Sequence, residues 1–385
     1  MPFNEVSIMD QRREFALLSS YPRSNISGLC KEYGITRRTG YKWIKRYEQN
    51  GYAGLKDKSR RPHYSPNRID PIMEQYIIDL RKEYPVWGAK KLYRILHNKQ
   101  QNGMYPFDHL PCIGTIGNII RRNGLVNKAK SEKSWQYKRF EYDYPNDLWQ
   151  MDFKGDFKML NQQRCYPLTI LDDHSRFNLC LQACSNQQRQ TVKKALTRVF
   201  EEYGLPDMIL ADNGSPWGAA GQLPISEGRA FTKLEKWLIL LNIRLIHGRP
   251  YHPQTQGKEE RFHGTLQQEL LNYEQFEDMD HCQHRFDYWR TQYNNVRPHE
   301  ALGFDVPAQK YIPSKKKMPG QIKPHEYEST VIKKKVDIDG RIYYKSRKHR
   351  VGRAFSGEYV ALKETEKDGE YDVYFCNEII RTLTL

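Results

Sequence analysis

Trp149-Gln150-Met151-Asp152-Phe153-Lys154-Gly155 alternates apolar and polar residues with a period of two. That period marks a half-buried β-strand. Asp152 sits mid-strand, where aspartate is disfavoured, so something must compensate. A bound cation would do so; the plainer alternative is an edge-strand aspartate facing water. A second acid, Asp212, ends the apolar run Met208-Ile209-Leu210-Ala211 and precedes Asn213-Gly214. Sheets flanked by helices place ligand-binding groups at the carboxyl ends of their strands, although an aspartate there can also form a simple Asx turn. A third acid lies at the start of a helix predicted over 257–271, whose apolar stripe is Phe262, Leu266 and Leu270. Helical geometry puts Glu259 roughly under that stripe and Glu260 at its margin, on one face with His263 and Gln267. Glu260 is therefore preferred and Glu259 is the alternative. Three carboxylates, two at strand ends and one on a helix, suit a hard divalent cation such as Mg²⁺ or Mn²⁺.

Working outward, strands are predicted over 164–171 and 177–183, joined by the turn Asp172-Asp173-His174-Ser175. Val192, Ala195, Leu196, Val199, Phe200 and Tyr203 mark an amphipathic helix closed by Gly204. A strand over 208–211, a helix over 231–241 and a strand over 243–247 follow. Three strands, helix, strand, helix, strand, helix is the order of a ribonuclease-H-like α/β core.

Upstream, residues 10–55 read as short helices. Gly34 is a left-handed stop and Thr36 caps a helix through 47, with Tyr41, Ile44 and Tyr47 as its apolar face. Arg37, Arg38, Thr39, Lys42, Lys45 and Arg46 lie on that helix, the second of a helix-turn-helix pair. A basic linker follows over 56–62, containing Arg60 and Arg61, suited to a phosphate backbone or minor groove. A second helical unit over 67–127 pairs Lys90-Lys91 with Arg121-Arg122 and suggests another helix-turn-helix. Residues 128–139 read as a basic connector. Beyond 325 short strands dominate, with hairpin turns at Asp339-Gly340 and Asp368-Gly369. Residues 311–353 hold 13 Lys and Arg against 4 Asp and Glu, so this region reads as a small basic barrel and a nonspecific DNA clamp. The domains are thus expected at 1–62, 63–128, 129–146 (a connector), 147–310 and 311–385. The fold class is multidomain: all-α helix-turn-helix units, a central α/β ribonuclease-H-like core and a C-terminal all-β barrel.

The 385 residues carry 62 Lys and Arg against 46 Asp and Glu, a net charge of +16, which points to a polyanionic partner. Seven scattered cysteines contain no CxxC pair, so neither a disulfide framework nor a zinc knuckle is supported. His281-Cys282-Gln283-His284 lacks a second ligand pair and reads as structural. Without a signal-peptide core or a long apolar run, the protein is expected to be soluble, cytoplasmic and nucleoid-associated, with no membrane partner.

Several of these segments together carry a family resemblance. They are W-Q-M-D-F-K-G (149–155), L-D-D-H-S-R (171–176), D-N-G-S-P (212–216), H-P-Q-T-Q-G-K-E-E-R-F-H (252–263) and Y-N-N-V-R-P-H-E-A-L (293–302). Over about 150 residues the chain resembles bacterial insertion-sequence transposases of the DDE superfamily, whose core is like that of retroviral integrases. The resemblance implies metal-ligand and catalytic roles for Asp152, Asp212 and Glu260, separated by 60 and 48 residues. The second interval is longer than is usual in retroviral integrases, and the Gly- and Ala-rich insert 218–227 accounts for the excess; the zinc module of those relatives is missing. It also implies two Mg²⁺ (or Mn²⁺) ions per site, water-driven cutting at the ends of a mobile element, and transfer of the freed 3′-OH into target DNA. His252, Gln254, Gln256, Lys258, Arg261 and His263 would stand near the scissile phosphate. Arg37, Arg38, Thr39, Lys42 and Arg46, with Arg60, Arg61, Arg121 and Arg122, would bind the double-stranded ends. Joining two ends requires a dimer or larger assembly. A DNA-binding regulator derived from a transposase and a ribonuclease-H-like nuclease without strand transfer are the alternatives.

Overall fold

The computed structural model describes residues 7–59, 68–126, 141–212, 214, 216–217, 230–247 and 257–384. Two compact units emerge, residues 1–68 and 69–385.

The first unit is three helices, α1 (Ile8–Ser19), α2 (Ile26–Glu32) and α3 (Arg37–Asn50), followed by a short 3-10 turn. Ser7, Asn25 and Thr36 cap them, each accepting a backbone N–H in the first turn. Phe15, Ala16, Cys30, Trp43 and Leu55 form its core. Here the reading of α3 needs correction. Tyr41 is exposed, and the inward residues are Gly40 and Trp43. Gly40 is required because a Cβ there would stand 2.6 Å from Cys30 Sγ. Arg12 and Arg46 pack over the Trp43 ring, with guanidinium carbons 3.9 and 5.0 Å from its centroid.

The second unit begins with α4 (Pro71–Glu83), α5 (Ala89–Gln101) and α6 (Ile113–Arg122). Ile77, Leu80, Trp87, Leu92, Leu96, Ile116 and Ile119 bury one another. The guanidinium of Arg81, itself buried, donates to the carbonyls of Trp87, Tyr84 and Leu125 and staples these helices together.

The central sheet is built from β1 (Leu148–Phe153), β2 (Phe157–Lys158), β3 (Arg164–Asp172), β4 (Asn178–Cys184), β5 (Met208–Ala211) and β6 (Arg244–His247). β1 pairs antiparallel with β3, and β3 with β2 and β4; β1–β5 and β5–β6 are parallel. On one face Trp149, Met151, Leu168 and Ile170 meet α7 (Arg189–Tyr203) and α8 (Lys233–Leu240). On the other face Cys165, Leu171 and Leu181 meet α9 (Gly257–Leu266) and α10 (Met279–Asn295), with a π-helical turn at Gln267–Leu271 between them. This three-layer arrangement is the expected ribonuclease-H-like order, with α10 added.

The C-terminal region is all β. Strands β7 (Ile332–Lys335), β10 (Tyr359–Glu364), β11 (Glu370–Phe375) and β12 (Glu378–Thr384) form one antiparallel sheet, and β8 (Arg341–Tyr344) with β9 (Arg347–Arg350) forms a hairpin. Its core includes Ile239 of α8, and Phe231 meets Phe355 edge-on at 5.4 Å, so the β region packs on the central layer.

One close approach lies under the strap that leaves the core. Gly204 adopts φ +83°, ψ −173°, a region open essentially to glycine alone. A Cβ there would meet the carbonyl oxygens of Ser314 and Lys316 at 2.7 Å. Gly204→Ala is expected to cost about 1–3 kcal/mol of stability, read as a lowered denaturant midpoint; an unchanged midpoint would contradict this packing.

Candidate active site

β1 and β5 run parallel in the register Gln150–Leu210. Two residues further along each strand's path stand Asp152 and Asp212, so both lie toward the carboxyl ends of these neighbouring strands. Along β1, Trp149 and Met151 point into the α7–α8 core, which turns Gln150 and Asp152 toward α9. Asp152 Oδ1 accepts the Phe153 N–H at 2.7 Å. Burial pushes the Asp152 carboxyl up to about 6, and the charges of Asp212 and Glu260 push in the same direction. Both other acids therefore stand near enough to act on it.

Asp212 forms the Asx turn foreseen as its plainer reading, with its Oδ1 accepting the Gly214 N–H at 2.9 Å. Its backbone is fixed by residues the sequence did not single out. His247 Nδ1 donates to the Asp212 carbonyl at 2.7 Å, and His247 Nε2 lies 3.4 Å from Glu235 Oε1. Trp217 stacks on Phe153 at 5.2 Å and anchors the chain after Asp212.

On α9 the two adjacent glutamates separate by environment. Glu259 is 1% exposed, whereas Glu260 is on the surface. Thr169, the cross-strand neighbour of Asp152, makes the difference. Its hydroxyl stands 3.1 Å from Glu259 Oε2, 2.8 Å from His263 Nε2 and 3.0 Å from the Asp152 carbonyl. Burial, then the Asp152 charge, raises the Glu259 carboxyl well above its ordinary range. Burial also lowers His263 to about 4, so its imidazole is neutral at pH 7. Of the two, Glu259 is buried against Thr169 and Glu260 faces solvent.

The remaining expected residues divide. His263 is buried against Thr169 instead of lying on an exposed face with Glu260, because a strand hydroxyl satisfies its ring nitrogen. The Lys258 ammonium is bound to Asp173 at 2.5 Å, while Arg261 is exposed. In α3, Arg37, Arg38 and Lys42 are exposed, whereas Thr39 bonds the capping Thr36 and Arg46 covers Trp43. Arg122 is paired with Glu74 and Arg121 with Asn118 of its own helix. Arg60, Arg61, the insert 218–227 and the loop bearing His252, Gln254 and Gln256 lie outside the described residues.

Among the described residues no three His, Cys, Asp or Glu side chains stand together closely enough to hold an ion as they are. The donor chemistry nevertheless fits a hard cation: carboxylate oxygens only, at the carboxyl ends of two neighbouring strands and on the facing helix, with like charge destabilising Asp152. The cysteines are all free. No helix among the described residues is long and apolar enough to cross a membrane.

Residues 143–253, and again 241–307, match the integrase core domain. Residues 331–383 match the C-terminal domain of IS481 family transposases, and 9–56 and 39–106 match homeodomain-like domains. The chain is 27% identical over 230 residues to a protein of insertion element IS476 from Xanthomonas euvesicatoria, covering 60% of this chain and 57% of that one. It is 22% identical to the transposase for transposon Tn552 of Staphylococcus aureus over an alignment of 427 residues, covering 99% of this chain and 84% of that one. Among solved structures, the HTLV-2 integrase catalytic core domain in complex with magnesium aligns at 15% identity with a TM-score of 0.31, covering 43% of this chain and 97% of that one. The integrase-core matches, flanked by helix-turn-helix and transposase C-terminal matches, make the chain similar to the transposases of insertion sequences in the retroviral-integrase-like superfamily.

Proposed function

We propose that the protein is a DNA transposase that cuts at the ends of a mobile element and joins the freed 3′-OH to target DNA. The observation that carries this reading is placement: Asp152 and Asp212 stand two residues beyond the paired Gln150 and Leu210 of neighbouring parallel strands, and Glu260 is exposed on α9, which packs on the same sheet. Asp152 and Asp212, on neighbouring parallel strands, and Glu260, on the facing helix, would hold Mg²⁺ or Mn²⁺, two ions per site. Such ions, when bound, activate the attacking oxygen and stabilise the leaving 3′ oxygen of an in-line phosphoryl displacement. The protein's own part is placement. β1 and β5 fix two carboxylates toward their carboxyl ends, Thr169 holds α9 against β1 through Glu259 and His263, and Trp217 with Phe153 walls one side.

The exposed cations Arg37, Arg38 and Lys42 of α3 would meet the major groove or phosphates of the element ends. The basic C-terminal region would add sequence-independent backbone contact, and Arg60, Arg61 and Arg261 are further candidates for phosphate contact. Because two ends must be joined, the working form is a homo-oligomer assembled on double-stranded DNA. The regulator reading requires loss of at least one carboxylate, and all three positions are acidic here.

With purified full-length protein, end DNA and Mg²⁺, Asp152→Asn and Glu260→Gln should reduce nicking and joining to background while end binding survives. Strand transfer in either variant would remove the assignment. Glu259→Gln should instead keep most activity, because burial already favours the uncharged form of that side chain. Loss of cleavage in Glu259→Gln with retention in Glu260→Gln would exchange the two roles. Binding of end DNA should weaken by at least ~10³-fold between about 50 and 200 mM salt if some six or more phosphates are contacted; a flat response would rule out the basic-face interface.

A further inference from the structure

Lys258 lies two residues before Glu260, yet its side chain is turned into the β3–β4 turn and is 14% exposed. Its ammonium donates to Asp173 Oδ2 at 2.5 Å and to the Asp173 carbonyl at 3.2 Å. Asp173 is 1% exposed and collects further donors: Gln150 Nε2 at 2.7 Å on Oδ1 and the Tyr142 N–H at 3.0 Å on Oδ2. The Asp173 N–H in turn donates to the Leu148 carbonyl at 3.0 Å. Leu148 and Gln150 belong to β1, the strand of Asp152. A single buried carboxylate therefore joins the strand of Asp152 to the helix of Glu260.

The first turn of a helix is its least constrained part, because its leading N–H groups lack intrahelical partners. α9 opens on Gly257, which adds backbone freedom. Thr169 grips the helix through Glu259 and His263, one residue before and three after Glu260. That contact limits rotation of the helix over the sheet. Lys258 supplies a second fixed point on the N-terminal side, so Glu260 is held between two anchors. Buried ion pairs add little net stability against apolar replacements, and fixing register is their best-attested use.

We infer that Lys258 is a positioning residue, whose ion pair with Asp173 sets where Glu260 stands relative to Asp152. The inference rests on the proposed metal-binding roles of those two acids. Lys258 then acts on metal affinity through helix placement, and its ammonium is not free to serve as a phosphate contact.

The test uses full-length Lys258→Met, Lys258→Arg and the uncharged pair Lys258→Met/Asp173→Asn. Mn²⁺ affinity is read from the free-ion electron paramagnetic resonance signal, alongside the Mg²⁺ dependence of nicking, end-DNA affinity and melting temperature. Lys258→Met should weaken Mn²⁺ binding by about tenfold or more, in the range found for residues that orient metal ligands. The Mg²⁺ requirement should rise in step, end-DNA affinity should stay unchanged, and Lys258→Arg should recover most of the loss. If the single Met variant misfolds through its unpaired Asp173, the uncharged pair removes both charges of the ion pair together and should fold with the same weak Mn²⁺ binding. Wild-type Mn²⁺ affinity in the uncharged pair would overturn the inference. So would a loss of DNA affinity with metal binding intact, which would make Lys258 a phosphate contact. Glu260→Gln in the same titration separates the failures: if it too binds Mn²⁺ normally, the three-carboxylate reading falls and the positioning role falls with it.

Discussion

Asp152 on β1 and Asp212 just past β5 bring like charge to the same end of two adjacent parallel strands, and the surrounding structure must hold that charge against its own repulsion. Burial and the neighbouring acids push the Asp152 carboxyl to about 6. Keeping it ionised at neutral pH therefore costs about 3 kcal/mol relative to water. Groups perturbed in this way concentrate at functional sites. Alternation along β1 directs Asp152 toward α9, the parallel pairing brings Asp212 alongside, and the Thr169 and Asp173 contacts bring α9 to both.

The motif at 293–302, without a catalytic role in the sequence reading, has a structural one. Asn294 accepts the Asn178 N–H at 2.8 Å and returns a hydrogen bond to its carbonyl at 2.9 Å, fixing α10 to β4. Beyond it, Arg297 and the indole N–H of Trp87 share Glu269, Lys90 pairs with Glu300, and Arg94 pairs with Asp305 at 2.7 Å. These contacts dock α4–α6 onto the core. They also account for part of the basic face expected to meet DNA: Lys90 has a carboxylate partner within the protein.

Much of the core was legible because its signals are local. The alternation of Trp149, Met151 and Phe153, the apolar run of β5, and the stop at Gly204 follow from nearest neighbours in sequence. The capping role of Thr36 was legible for the same reason. What sequence could not supply was the identity of distant partners. Lys258 and His263 look like basic residues on a helix; their destinations, Asp173 and Thr169, are 85 and 94 residues away. On α10 the buried stripe Cys282, Phe286, Trp289 and Tyr293 was hidden among His, Gln and Asp residues. β9, Arg347–Arg350, has no apolar alternation to announce a strand and owes its state to pairing with β8. In α3 Tyr41 suggested a face turned too far from the core, because the glycine at the close approach, Gly40, leaves no hydrophobic signal.

The most direct test is anomalous diffraction from Mn²⁺ in crystals of the protein bound to its end DNA. The account predicts manganese peaks coordinated by Asp152, Asp212 and Glu260, with Glu259 still against Thr169 and Lys258 still on Asp173. Manganese bound through Glu259, or absent from the carboxyl ends of β1 and β5, would contradict it.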